Sequence, residues 1–316
     1  MQRGRCQTGL MGGVVVGFAI IGFVILVGYV VGRTGVLGEH ARFVLGRAAY
    51  YVLSPFLLFT VLSEADVHVL FSSLLVVSLI AAAVSGLVFA VIARAVWKRP
   101  ASETVIGSLA SGYVNANNIG IPVALYVLGD PAYSAPVVLL QLLVFAPIAL
   151  TILDVQDRGA VSARRILLGP LTNPIIVASA LGVLLAVLAV KLPEAVMEPF
   201  RLIGGAAVPV VLLAFGMSLH GQRPLAPGSS RRDVILASAL KLALMPLVAW
   251  LVGGPLFHLA SPQLFAVVVL AALPTAQNVF NYAQRYERGE ILARDVVLVT
   301  TVLCVPVLVL IAALLA

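Results

Sequence analysis

The sequence predicts an all-α integral membrane protein whose ten transmembrane helices form two inverted five-helix repeats. Three observations carry this expectation. Of 316 residues, 61% are hydrophobic and 10% are charged, with mean hydropathy +1.11, whereas a soluble domain carries about 25% charged residues. The apolar residues fall in blocks close to the roughly 20 residues needed to cross about 30 Å of hydrocarbon. The blocks of the second half also repeat the proline and polar punctuation of the first.

Apolar runs bordered by Gly, Pro and charge place the first five spans at Val14–Val31, Phe43–Leu62, Leu70–Ile92, Val105–Leu128 and Ala135–Leu153. The second five are expected at Pro174–Val190, Met197–His220, Val234–Phe257, Leu264–Ala283 and Ala293–Ala316. The first run follows Arg3 and Arg5. It is too long for a secretory h-region and continues into Gly32 and Arg33 without a small-residue cleavage site, so it reads as a span.

With this count, one membrane face carries Arg33, Arg42, Arg47, Arg94, Lys98, Arg99, Arg158, Arg164, Arg165, Arg223, Arg231, Arg232, Arg285, Arg288 and Arg294. The other face carries Arg3, Arg5, Lys191 and Arg201. Such asymmetry puts the first face in the cytoplasm and both termini outside it; the expected location is the cell's inner (plasma) membrane. The net charge of +7 is therefore a topology signal, and no nucleic-acid partner is expected. Cys6 and Cys304 cannot build a disulfide framework or a cysteine metal site.

Because each half has five spans, an odd number, the second half inserts upside down relative to the first. The second and seventh spans carry central prolines, Pro55 in LSPFLLF and Pro209 in AVPVVLL. In the fourth and ninth spans, Asn115-Ala116-Asn117-Asn118 lies over Thr275-Ala276-Gln277-Asn278 at a constant offset, with Pro122 after the first motif and Pro274 before the second. A mid-helix proline removes one hydrogen bond and clashes with the carbonyl four residues earlier, at about 3 kcal/mol. At membrane depth such a break survives where protein or a water-filled cavity satisfies the freed groups. Pro147, Pro246 and Pro306 read as ordinary kinks.

Asn115, Asn117 and Asn118 precede Gly120 and Pro122. Each carboxamide costs about 2–7 kcal/mol to bury without partners. Thr275, Gln277, Asn278 and Asn281, following Pro274, repeat this polarity. One reading makes these residues a substrate site, with the half-helix N-termini suited to an anion. A sodium ion is then a candidate near Asn117, Asn118, Gln277 and Asn278, beside half-helix carbonyls. The other reading makes them interhelical glue, worth about 1–2 kcal/mol.

Lys241 is about 8 residues, or roughly 12 Å, inside the eighth span. It either snorkels to the interface or makes a structural contact, or it draws an anion inward or balances charge in transport and joins the substrate site. Tyr113, Tyr126 and Tyr282 flank the broken segments and either pack or shape the pocket. The thirteen acidic residues fall at loops or span ends, which disfavours cation/proton exchange through a midplane carboxylate. No cofactor is expected, and the coupling ion stays open between sodium and a proton.

The runs GSLASGYVNANNIGIPVALYVLGD and AALPTAQNVFNYAQRY resemble the paired motifs of the auxin efflux carrier family. The kinked second and seventh spans and the KLALMP stretch are also similar, so the resemblance covers nearly the whole chain. It implies that broken helices 4 and 9 cross in the core, with Asn115, Asn117, Asn118, Pro122, Pro274, Gln277 and Asn278 at the crossover. It also implies a homodimer, with residues 14–62 and 174–220 as scaffold and dimerisation helices, and residues 70–153 and 234–316 as the transport core. The long cytoplasmic loop of many plant members is absent between Asp154 and Asn173. Bacterial relatives suggest a small carboxylate such as malate or malonate, beside an auxin-like acid.

The expected function is thus a secondary active transporter of a small organic anion, working by alternating access. The alternatives are a sodium-coupled symporter of another organic solute, resembling the bile-acid symporters, or a channel. An enzyme is disfavoured: the chain has no HExxH motif, no intramembrane His or carboxylate cluster, and no serine paired with a base within a span.

Overall fold

The computed structural model describes residues 19–38, 40–64, 73–158, 174–220, 225 and 230–315, with the side chains of Asp157, Arg158, Ser218 and Gln284 excepted. Arg3, Arg5, Cys6, Asp66, Arg164, Arg165, Arg223 and the predicted span starts at Val14 and Leu70 lie outside these residues. Among the described residues the regular structure is helical, apart from one isolated antiparallel bridge. In chain order the helices are α1 (Ala19–Thr34), α2 (Ala41–Ser63), α3 (Ser73–Val96), α4 (Ala101–Gly112), α5 (residues 116–126) and α6 (Pro131–Gln156). They continue as α7 (Pro174–Val187), α8 (Glu194–Gly205), α9 (Ala207–Leu219), α10 (Arg231–Leu256), α11 (Ser261–Ala271), α12 (Gln277–Tyr286) and α13 (Glu290–Leu315). Among the described residues six segments are long and apolar enough to cross a membrane: α2, α3, α6, Glu194–Met217, α10 and α13. The chain is a multi-pass membrane protein.

The prolines explain much of the local geometry. Widened π-turns span Ala49–Leu53, Ala116–Gly120, Gln141–Phe145 and Leu240–Leu244, each ending two residues before a proline: Pro55, Pro122, Pro147 and Pro246. Ser54, Ala146 and Met245 donate their N–H groups five residues back, to Ala49, Gln141 and Leu240. One extra residue in the turn relieves the clash of the ring with the preceding carbonyl. Pro147 and Pro246 therefore share the device of Pro55, whereas Pro306 sits inside α13 without it. Pro209 falls in the first turn of α9, where a missing N–H costs little.

Contacts divide the chain into two compact units. The first is Met1–Phe71, Asn117–Leu139 and Leu167–Gln222; the second is Ser72–Ala116, Leu140–Ile166 and Arg223–Ala316. In the first unit α1 packs on α9 backbone to backbone. A Cβ added at Gly28 would lie 2.3 Å from the Leu213 carbonyl oxygen, and one at Gly216 would lie 2.1 Å from that of Ile25. Small residues are what allow such approach where lipid removes the hydrophobic drive between helices. α2 is held by aromatic packing, with Phe56 and Phe59 each 5.0 Å from the Phe200 ring centroid. Arg201 on α8 bonds Glu64 at 2.6 Å and also Glu194. All three are exposed, so solvent screens the cluster and it adds little to stability.

The second unit has a buried centre that includes Phe89, Ile106, Tyr113, Leu153, Val279 and Val296. It also buries Asp154, Asp233 and Asp295, each at a helix end and each partnered. Asp233 pairs with Arg99 at 2.5 Å, Asp154 accepts from the Tyr286 hydroxyl at 2.8 Å, and Asp295 accepts from Arg294 and from the Leu225 N–H at 3.1 Å. These partners offset the desolvation that would otherwise expel a carboxylate from an apolar interior.

Candidate functional site: two paired helix breaks

In the second unit the breaks in the predicted fourth and ninth spans meet. α4 stops at Gly112 because Tyr113 turns extended, with φ −92° and ψ 108°. A Cβ on Gly112 would approach the Ala82 carbonyl oxygen to 2.6 Å, so glycine lets α4 close on α3 just before the break. α11 stops at Ala271, and α12 begins at Gln277. Val114 and Thr275 form the isolated antiparallel bridge. The Asn115 N–H donates to the Pro274 carbonyl at 2.8 Å, and the Ala276 N–H donates to the Tyr113 carbonyl at 3.0 Å. Two interrupted helices thus satisfy each other's exposed backbone, which lipid cannot do. Pro274 has no donor to offer, and its place in the bridge uses only its carbonyl.

Thr275, fully buried, pins the junction. Its hydroxyl donates to the Ala110 carbonyl at 2.6 Å, and its N–H donates to the Thr300 hydroxyl oxygen at 3.1 Å. The Thr300 hydroxyl in turn donates to the Val296 carbonyl at 2.7 Å. Both polar groups of Thr275 are thus committed inside the protein. Gln277 and Asn278 are the first residues of α12 and are half-buried, while Asn281, one turn on, is exposed. Their half-helix start carries the partial positive charge of free amide ends. Tyr113 and Tyr282 meet edge to face at 6.4 Å.

Lys241 does not snorkel. It has 0% exposure, and its ammonium donates to the Ala271 carbonyl at 2.6 Å, with Met245 Sδ at 3.3 Å. The reason is the partner: the last carbonyl of α11 offers an acceptor with helix-end negative charge, which the stem reaches without turning back to the interface.

The first unit holds the two half-buried asparagines. Asn117 Nδ2 donates to Ser54 Oγ at 3.3 Å and to Asn118 Oδ1 at 3.1 Å. Asn117 Oδ1 is buried without a hydrogen-bond partner, an acceptor available for a donor-bearing solute or a cation. Gly120 and Pro122 are buried where the π-turn becomes regular helix, and Tyr126 is 40% exposed. Ser54 is the residue sequence reasoning missed. Its signal was its place directly before Pro55, where the widened turn presents a polar side chain.

The structure thus brings Asn115, Pro274 and Thr275 together in the second unit, ties Asn117 to Asn118 in the first, and gives Lys241 the end of α11. Among the described residues no group of His, Cys, Asp and Glu is arranged to hold a metal ion.

Comparison with known proteins adds the following. The membrane transport protein family matches residues 14–312. "Uncharacterized transporter YfdV" of Escherichia coli (strain K12) is 26% identical over 272 residues, covering 83% of this chain and 85% of that protein. A protein of Rhizobium meliloti (strain 1021) named "Putative malonate transporter" is 27% identical over 293 residues, covering 89% of each chain.

Proposed function

The chain belongs to the membrane transport protein family, the auxin efflux carriers, and from that premise we propose that it is a secondary active carrier of a small organic anion. It is a transporter and not an enzyme. The proposed substrate is a carboxylate, with malonate first because a relative carries that name, then malate or an auxin-like acid. The proposed architecture is ten spans in two inverted repeats. Spans 1, 2, 6 and 7 form scaffold and dimer surface, and spans 3–5 and 8–10 form the moving part. The membrane is proposed to be the bacterial inner or plasma membrane, with both termini outside the cytoplasm.

The observation that carries this reading is the paired break at Val114 and Thr275. A helix interrupted in a membrane costs several hydrogen bonds, and here the chain interrupts two and pairs them. What the interruption gains is a free helix start, at Gln277 and Asn278, whose N–H groups can bind carboxylate oxygens without a fixed positive side chain. Broken helices with exposed termini are the means by which carriers hold ionic solutes near the midplane while access alternates.

The test is uptake by purified protein in proteoliposomes, across a panel of mono- and dicarboxylates with and without imposed ion gradients. Saturable uptake of one acid, competed by its close analogues, is expected. Uptake of a cation or a neutral solute in place of every acid would overturn the substrate class.

A further inference from the structure

We propose that the start of α2 carries a binding site for an anionic lipid headgroup, in which Arg47, clamped between the rings of Phe43 and Tyr51, takes the phosphate of a phosphatidylglycerol-type lipid.

Phe43, Arg47 and Tyr51 stand four residues apart, so they share one face of the helix, each a turn from the next. The Arg47 guanidinium lies 5.6 Å from the Phe43 ring centroid and 5.3 Å from that of Tyr51, within reach of a cation–π contact with each ring. Tyr51 is itself held, edge to face with Tyr50 at 5.0 Å. Ring contacts give the guanidinium no oxygen acceptor, so its N–H fork is left for a ligand, and that fork fits two phosphate oxygens. Among the described residues no carboxylate pairs with Arg47, whereas Arg99, Arg201 and Arg294 each have one.

Placement selects the ligand. α2 is long and apolar enough to cross a membrane, and Arg47 lies less than two turns inside its start. Phe43 is 64% and Tyr51 54% exposed, with Val44 and Val52 exposed beside them, so this face meets lipid. Aromatic rings near the end of a span sit at the headgroup level. Lipid phosphates lie at that depth, and an arginine without a counter-ion there is costly to keep. The local charge agrees: Arg33 closes α1 and Arg42 opens α2, while the described residues from Ala19 to Ser63 include no Asp or Glu. Basic clusters beside a span attract anionic lipid.

The test is native mass spectrometry of the full-length protein in detergent with equal amounts of phosphatidylglycerol and phosphatidylcholine, for wild type, Arg47→Gln, Arg47→Lys and Arg201→Gln. Wild type should retain phosphatidylglycerol in preference, and Arg47→Gln should lower that preference about fivefold, the weight of one arginine at an anionic surface. Arg47→Lys should lose as much, because an ammonium has no planar fork, and Arg201→Gln should keep the preference. Equal retention of the two lipids by wild type, an undiminished preference in Arg47→Gln, or an equal loss in Arg201→Gln overturns the proposal. So does a preference kept in full by Arg47→Lys, since a snorkelling charge in an aromatic belt would then account for it. Free glycerol phosphate that displaces the lipid would assign the site to a soluble anion, and a lipid-independent change from dimer to monomer in Arg47→Gln would make the stripe a contact between copies; either refutes it. If Arg47→Gln does not fold, Tyr51→Leu, which removes one wall of the clamp, should show the same loss, and an unchanged preference there overturns the proposal.

Discussion

Among the described residues, the buried polar side chains of the first unit are the hydroxyls of Ser54, Thr60, Ser134 and Ser179, whereas the second unit, besides hydroxyls and amides, buries Asp154, Asp233, Lys241 and Asp295. The first unit joins helices through glycine contacts such as Gly28 with Leu213 and through the Phe56, Phe59 and Phe200 rings. The second has close contacts of the same kind, such as Gly112 with Ala82, and adds bonds that answer a buried charge or a broken backbone. Close packing suffices for a body that only has to stay together in lipid. A body that handles charge must carry polar groups inward and satisfy each one. The comparison supports a proposed division in which the first unit is framework and the second handles charge, with Asn117 and its unpartnered oxygen a proposed substrate contact within the first unit.

The largest expected effect breaks that assignment if it fails. Asn117→Ala and Asn118→Ala should each lower uptake by about 10- to 100-fold, matching the roughly 1.5–3 kcal/mol of a hydrogen bond to a charged group, while size-exclusion profiles stay unchanged. Wild-type uptake in both would reduce the asparagines to interhelical glue. Next, Gly216→Ala places a Cβ 2.1 Å from the Ile25 carbonyl oxygen and should destabilise by about 1–3 kcal/mol. Its thermal melt should fall while the KM for uptake stays fixed. A changed KM would show that the α1 and α9 contact is not mere framework.

Thr275→Val removes the bond to Ala110 and should cost about 1–2 kcal/mol. Because the paired break depends on it, this variant should lose kcat as well as melting temperature, sharpening the contrast with Gly216→Ala. Smallest is Arg201→Ala, which opens the exposed cluster with Glu64 and Glu194. Solvent screens so exposed a cluster, so the melting temperature should barely move and uptake should stay intact; a large loss of transport would place a functional charge in the first unit.

Much of the fold was legible because lipid leaves so few options. A helix occupies each predicted apolar run, and both interrupted runs were marked by polar residues next to proline, at Asn115–Asn118 with Pro122 and at Pro274–Asn278. The pairing of the two breaks was not legible. The repeat matches Asn115 with Thr275 as equivalent positions and says nothing of which backbone groups bond; the bridge pairs Val114 with Thr275, and the Pro274 carbonyl accepts the Asn115 N–H. The helix resumes at Ala116, so Asn117 and Asn118 sit in a widened turn and not in the extended stretch. The partner of Lys241 could not be read either. Hydropathy reports depth along one helix, and the Ala271 carbonyl lies 30 residues away on another.

The most direct test of the account is malonate counterflow: proteoliposomes loaded with unlabelled malonate and diluted into labelled malonate, for wild type and Asn117→Ala. The account predicts a transient overshoot of label in wild type and a loss of at least about tenfold in the variant. A non-saturable leak in wild type, or an undiminished overshoot in the variant, would contradict it.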